Sequence, residues 1–289
     1  MANQLAYFPN GIRTPLLVGG PSADPVVGNV FFVGKTASGN WIAGADVPTY
    51  GTYGMPFATV DYAVGKCTAS QGDVIYVLPG HTESIAAAGG ITCDVAGVSI
   101  IGLGNGNLRP TFTWTALASS WLVTAASVTI KNIIITPGID EVVSMFAVSA
   151  AGCTFDAVDF EEAGARGATY QAIQFLLTTA DADNLTVQNC NHRQWTAAAA
   201  DQVWIDLAGV VNPRILNNFI YITAKAATGS YCIYGSAACW NVQVVGNRIV
   251  WFGATIVSPV SFASTSTGII AHNAIGMTCL LYTSPSPRD

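Results

Sequence analysis

Thr129-Ile130-Lys131-Asn132, Thr186-Val187-Gln188-Asn189, Arg214-Ile215-Leu216-Asn217 and Val244-Val245-Gly246-Asn247 are four versions of one short unit. In each, β-forming residues run into an asparagine. Ile270-Ala271-His272-Asn273 repeats it more weakly, and Thr154-Phe155-Asp156-Ala157 carries alanine in the last slot. The slots at 132, 157, 189, 217, 247 and 273 lie 25, 32, 28, 30 and 26 residues apart. Ile100-Ile101-Gly102 precedes the first by 30, with glycine in the slot. A period of this length marks a solenoid. Val, Ile, Thr, Phe and Trp between the slots, bounded by Gly, Asn and Asp, make its units strands and turns. The chain is expected to be all-β, a single-stranded parallel β-helix whose turns stack about 4.8 Å apart. Asn132, Asn189, Asn217, Asn247 and Asn273 should form one amide ladder, with Gly102 and Ala157 continuing the column. Asparagine also tolerates the left-handed backbone of a sharp corner. Ile130, Phe155, Val187, Ile215 and Val245 should point into the core beside it. Replacing Asn217 by Leu should cost about 1–3 kcal/mol by stranding its amide partners.

Composition agrees. Of 289 residues, 51% are hydrophobic and 10% charged, enough for one large core of small and branched side chains. The net charge of −6 and the lack of a basic run argue against a nucleic-acid partner. No stretch reads as a membrane span, and Met1-Ala2-Asn3-Gln4 lacks the features of a secretion signal. The seven cysteines have no metal-ligand spacing and read as core residues of a reducing cytoplasm. No metal and no cofactor is expected.

In chain order, residues 1–28 are Pro- and Gly-rich and read as an extended arm. Residues 29–72 form a cap region. Within it, Phe57, Val60, Val64 and Cys67 fall at helical spacing and predict a helix over 55–70 that closes the first turn. Residues 73–276 carry the solenoid. Residues 277–289, with Cys279-Leu280-Leu281-Tyr282-Thr283-Ser284-Pro285, break every pattern. They resemble a sequencing-library adapter read through at a contig end, so the natural C-terminus is expected to be missing.

Pro56-Phe57-Ala58-Thr59-Val60-Asp61-Tyr62-Ala63-Val64, Gly72-Asp73-Val74-Ile75-Tyr76-Val77-Leu78-Pro79-Gly80-His81 and Val98-Ser99-Ile100-Ile101-Gly102 carry a resemblance. They look like the N-terminal cap and first strands of right-handed, pectate-lyase-like parallel β-helix proteins, in particular a group from tailed bacteriophages. The resemblance covers about residues 30–275. It implies a virion component assembled in the host cytoplasm, with other virion proteins as partners and a homotrimer as the assembly. It does not separate a structural component from a receptor-binding tailspike or a polysaccharide lyase or hydrolase.

Catalytic signals are thin. Glycan cleavage needs carboxylates placed as acid and base or nucleophile. Asp156, Asp159, Glu161 and Glu162 share one turn, and Asp181, Asp183, Asp201 and Asp206 follow. Glu161, Glu162 and Asp183 are the weak catalytic candidates. In the asparagine register Glu161 falls beside Arg193, which favours an ion pair, and Asp181-Ala182-Asp183-Asn184 reads as a turn. His81 reads as a loop residue, and nothing in the sequence ties His192 to a nucleophile. Trp195, Trp240 and Trp251 are candidates to stack on the sugars of a host-surface polysaccharide, against core or interface roles. A non-enzymatic particle component is the expectation that results.

Overall fold

The computed structural model describes residues 28–161, 172–194, 203–222, 231–251 and 259–277; the side chains of Gln194, Trp251 and Met277 lie outside the description. Of the expected arm at 1–28 and the expected tail at 277–289, all but residues 28 and 277 fall outside the described residues. Three parallel sheets wind into a β-solenoid. The nine-stranded sheet comprises Val30–Val33, Val74–Val77, Ser99–Gly102, Thr129–Lys131, Thr154–Asp156, Thr186–Gln188, Arg214–Leu216, Val242–Val245 and Gly268–Ala271. The eight-stranded sheet runs from Thr82–Ile85 to Ala274–Met277, and the seven-stranded sheet from Ile91–Cys93 to Val260–Phe262. Each winding visits the three sheets in turn. Val30–Val33, expected within the cap region, already pairs with Val74–Val77, so the solenoid's first strand precedes residue 73.

The repeated unit read from the sequence is the corner between the nine- and eight-stranded sheets. In six successive turns two residues separate the strands: Asn132-Ile133, Ala157-Val158, Asn189-Cys190, Asn217-Asn218, Gly246-Asn247 and His272-Asn273. The first of each pair has a left-handed backbone, with φ of 57, 54, 54, 54, 71 and 55°. The second turns inward, and Ile133, Val158, Cys190, Asn218 and Asn247 are buried. A single left-handed residue reverses the direction of the strand within two positions, which is why Asn and Gly recur there.

The expected single asparagine column therefore divides in two. Asn132, Asn189 and Asn217 occupy the left-handed position, where Gly246 and His272 replace Asn247 and Asn273. The amide ladder proper is the inward column. Asn218 Nδ2 donates to Asn247 Oδ1 at 2.9 Å, and Asn247 Nδ2 to Asn273 Oδ1 at 2.9 Å. The same oxygens accept the backbone N–H of Asn218 and Asn247, at 2.9 and 2.8 Å. Asn217 is aligned with Gly246, not with Asn247, and its amide is exposed. A Cβ at Gly246 would meet only the tip of the exposed Asn217 amide, at 2.3 Å, which can swing aside, so it is the left-handed φ that favours glycine at that step. Gly102 continues the column, but there the neighbouring turn crowds it: a Cβ would lie 2.1 Å from the Asn132 carbonyl oxygen.

The one-position shift also moves the last core residue. Ile75, Ile100, Ile130, Phe155, Val187, Ile215 and Val244 stack in register inside, all buried, while Val245 faces outward. Aromatic rings fill the widest turns. Phe146 lies 5.0 Å from Phe155, 5.4 Å from Trp121 and 5.6 Å from Phe175 between ring centroids. At the last described turn Ile269, Ile270 and Ile275 are exposed.

The expected helix over 55–70 is confined to Val60–Val64. Phe57 is held extended as a bridge to Val33, and Asp73 captures the backbone N–H of Thr68 and of Asn29. These tertiary bonds outcompete helical ones at both ends. Phe57, Val60 and Val64 are nonetheless buried in the common core, and the short helix touches Val30–Val33, Val74–Val77 and Ile91–Cys93.

Asn247→Ala should strand the buried Ile215 carbonyl and Asn218 N–H and lower stability by on the order of 2–5 kcal/mol. Asn217→Gly should stay within about 0.5 kcal/mol, because glycine accepts the left-handed corner. Urea unfolding of the two variants checks both values.

Candidate functional site

The acid-rich turn is built around the corner Ala157-Val158, which sets Asp156 at the end of one strand and Asp159 at the start of the next. Asp156 Oδ2 pairs with Lys131 Nζ of the preceding turn at 2.8 Å, and its Oδ1 accepts from Asn189 Nδ2 of the following turn at 2.8 Å. Burial pushes the Asp156 carboxyl up, but the Lys131 ammonium and the hydrogen bonds from Asn189 and Gln188 outweigh it and hold the group below the usual carboxylate range. Asp159 repeats the arrangement, with Arg109 Nη2 at 2.5 Å and Asn191 Nδ2 at 2.8 Å. Each carboxylate thus ties turns together along the axis: Asp156 joins its two immediate neighbours, and Asp159 joins the next turn to the turn two before it.

Of the three weak catalytic candidates, Glu162 lies outside the described residues. Glu161 is exposed and in register with Arg193, as expected, but the two do not close an ion pair among the described residues. Asp183 belongs to the expected turn: its Oδ1 accepts the Val211 N–H at 2.7 Å and its carbonyl accepts from Gly152. Glu161 ends a strand of the eight-stranded sheet, whereas Asp183 lies in the turn that follows Ala172–Thr178, and the two are not brought together. Among the described residues no group of three or more His, Cys, Asp or Glu could hold a metal ion.

Trp195 lies outside the described residues, and Trp251 is described in its backbone alone. Trp240 is 47% exposed. It precedes Asn241, the last rung of a surface ladder that the sequence analysis missed. Asn241 Nδ2 donates to Asn212 Oδ1 at 2.8 Å, and Asn212 Nδ2 to Asn184 Oδ1 at 3.1 Å. All three have left-handed backbones, with Ser127 and Gly152 continuing the column. Their spacings of 28 and 29 residues carry the period of the solenoid at a second corner. Trp204 and His192 are core residues: Trp204 stacks on Phe175 at 5.5 Å, and His192 on Phe160 at 4.2 Å.

His81, expected in a loop, is buried with Glu83. Its Nδ1 accepts the Lys35 N–H at 3.1 Å, so the neutral ring carries its proton on Nε2, 3.1 Å from Glu83 Oε2. That oxygen also accepts the Val60 N–H at 3.1 Å. The pair fastens the loop after the first strand and the short helix to the solenoid. A cavity of about 330 Å³ beside it is lined by Lys35, Trp41, Pro79 and Leu108 among others.

Two predictions follow from this geometry. Asp156 is held low, so its contribution to stability is present above its unfolded pKa near 4 and is lost as pH falls through its lower folded value. Lys131→Met should reduce that contribution, leaving the part held by Asn189 and Gln188, seen as a flatter acid limb in urea midpoints measured across pH. Burial pushes the Cys93 and Cys190 thiols up to about 12. Both should react with a thiol reagent only as fast as the chain opens. Mass-resolved labelling with and without denaturant reads this.

No family model matches the sequence, and no curated protein matches it. Among solved structures, a rhamnogalacturonan lyase is similar, with a TM-score of 0.53 and 13% sequence identity. The match covers 86% of this chain and 62% of the lyase. At that identity the likeness is one of fold: the chain is a parallel β-solenoid of the pectate-lyase-like kind.

Proposed function

We propose that the chain is a non-catalytic, rod-like component of a bacteriophage particle, a decoration or tail-associated protein. The observation that carries this reading is the use made of the acid-rich turn. Asp156 and Asp159 are each engaged on two sides by other turns, and Asp183 holds a backbone N–H. Carboxylates committed to axial bonding serve a stiff rod, whereas glycan cleavage needs a pair free to exchange protons. In this reading Phe57, Val60 and Val64 close the first turn. Residues 1–28 dock on other virion proteins, and assembly takes place in the host cytoplasm.

One observation favours a second reading, a receptor-binding role. Trp240 presents its ring beside a ladder of exposed amides, a combination suited to a host-surface polysaccharide lying along the rod.

Purified protein should bind phage particles through residues 1–28 and release no reducing ends from host capsule or lipopolysaccharide. Reducing-end release that disappears in Glu161→Ala or Asp183→Ala would replace this reading with the polysaccharide-cleaving one. Capsule binding without cleavage that is lost in Trp240→Ala would select the receptor-binding reading.

A further inference from the structure

Three of the seven lysines and arginines among the described residues are engaged within their own neighbourhood. Lys131 and Arg109 pair with aspartates, and Lys66 sits over the Tyr62 ring. Two arginines without a carboxylate partner, Arg193 and Arg248, share the outer face of the eight-stranded sheet. Register fixes the order along that face. Asp159, Asn191, Phe219 and Arg248 form one column, and Glu161, Arg193, Tyr221 and Val250 the next. Along the axis the face therefore reads acid, base, aromatic, base. Arg248 lies 5.4 Å over the Phe219 ring, and Phe219 stacks near Tyr221 at 6.3 Å. Glu161, Arg193 and Arg248 are exposed.

We propose that this face binds a second copy of the chain, antiparallel, about a two-fold axis lying in the face between the strands Asn191–Gln194 and Phe219–Ile222. Such an axis exchanges turns symmetrically. The turn of Asp159 and Glu161 then faces the turn of Arg248, and the turn of Arg193 faces the aromatic turn of Phe219 and Tyr221. Each acidic turn meets a base, and each guanidinium of Arg193 meets a ring. The contact is isologous, so it closes at two chains. A three-fold axis along the rod would set every turn beside its own copy. Its contacts are heterologous and join residues of the same turn, so the acidic turn would not face the turn of Arg248. Tyr, Phe and Arg on a flat surface are also the residue types that anchor protein interfaces.

The test is the solution mass of the full chain by sedimentation equilibrium, at low and high salt. Two chains are expected, with association weakening as salt rises. Arg248→Glu should weaken it by about tenfold or more, since it sets acid against acid. The exchange Glu161→Arg with Arg248→Glu should recover most of that loss. Both positions are exposed, and circular dichroism confirms that the variants fold. A single-chain or three-chain mass overturns the proposal. So does a pair indifferent to Arg248→Glu, or a loss that the double exchange leaves unrepaired. A pair abolished by Ile270→Lys but not by Arg248→Glu would be held by the apolar last turn, and that result also overturns it.

Discussion

Every turn of this chain must present its backbone N–H and C=O groups to the turns on either side, at one strand spacing and in one register. That requirement fixes the rest. It can be met only if each turn changes direction at the same place, and two columns of left-handed residues provide this. One holds Asn132, Ala157, Asn189, Asn217, Gly246 and His272, and the other holds Ser127, Gly152, Asn184, Asn212 and Asn241. With the corners aligned, side chains of like kind stack, and stacking decides which residues are tolerated. Apolar residues fill the interior, and amides satisfy one another where a polar group must be buried.

Charge is used in the same axial sense. Lys131 to Asp156 to Asn189, and Arg109 to Asp159 to Asn191, each link turns on opposite sides of one corner, the Arg109 bond reaching across an intervening turn. These bonds are partly shielded from water by the neighbouring turns, so they hold the stack more firmly than isolated surface pairs would. On the outer face of the eight-stranded sheet this habit stops at Asp159 and Asn191, and Glu161, Arg193 and Arg248 are exposed.

The fold was legible because the corner repeats in sequence. The position of the ladder was not. Asn217-Asn218 and Gly246-Asn247 each offer two residues able to take the left-handed position, and composition cannot say which one turns inward. Choosing Asn247 shifted the frame by one and exchanged Val245 for Val244 in the core. The helix was over-read for a related reason. Its apolar spacing is real, but Asp73 and the pairing of Val33 with Phe57 draw on partners distant in sequence. The acidic turn was seen as a cluster, yet the partners that occupy it lie 25 to 50 residues away. Period is local information, whereas satisfaction of a carboxylate is not.

The two-residue corner also governs how such a chain can change over generations. Adding or removing one residue there would turn every following side chain from core to surface until the next corner. The stretch between the eight- and seven-stranded sheets is under no such rule. It is 4 residues long after Pro137, 10 after Glu161 and 8 after Gln194, Ile222 and Trp251, with the stacking of the turns undisturbed. From Thr129 onward the corner between the nine- and eight-stranded sheets keeps its two residues while both other connections change length, so a lineage can lengthen or shorten a turn anywhere but at that corner.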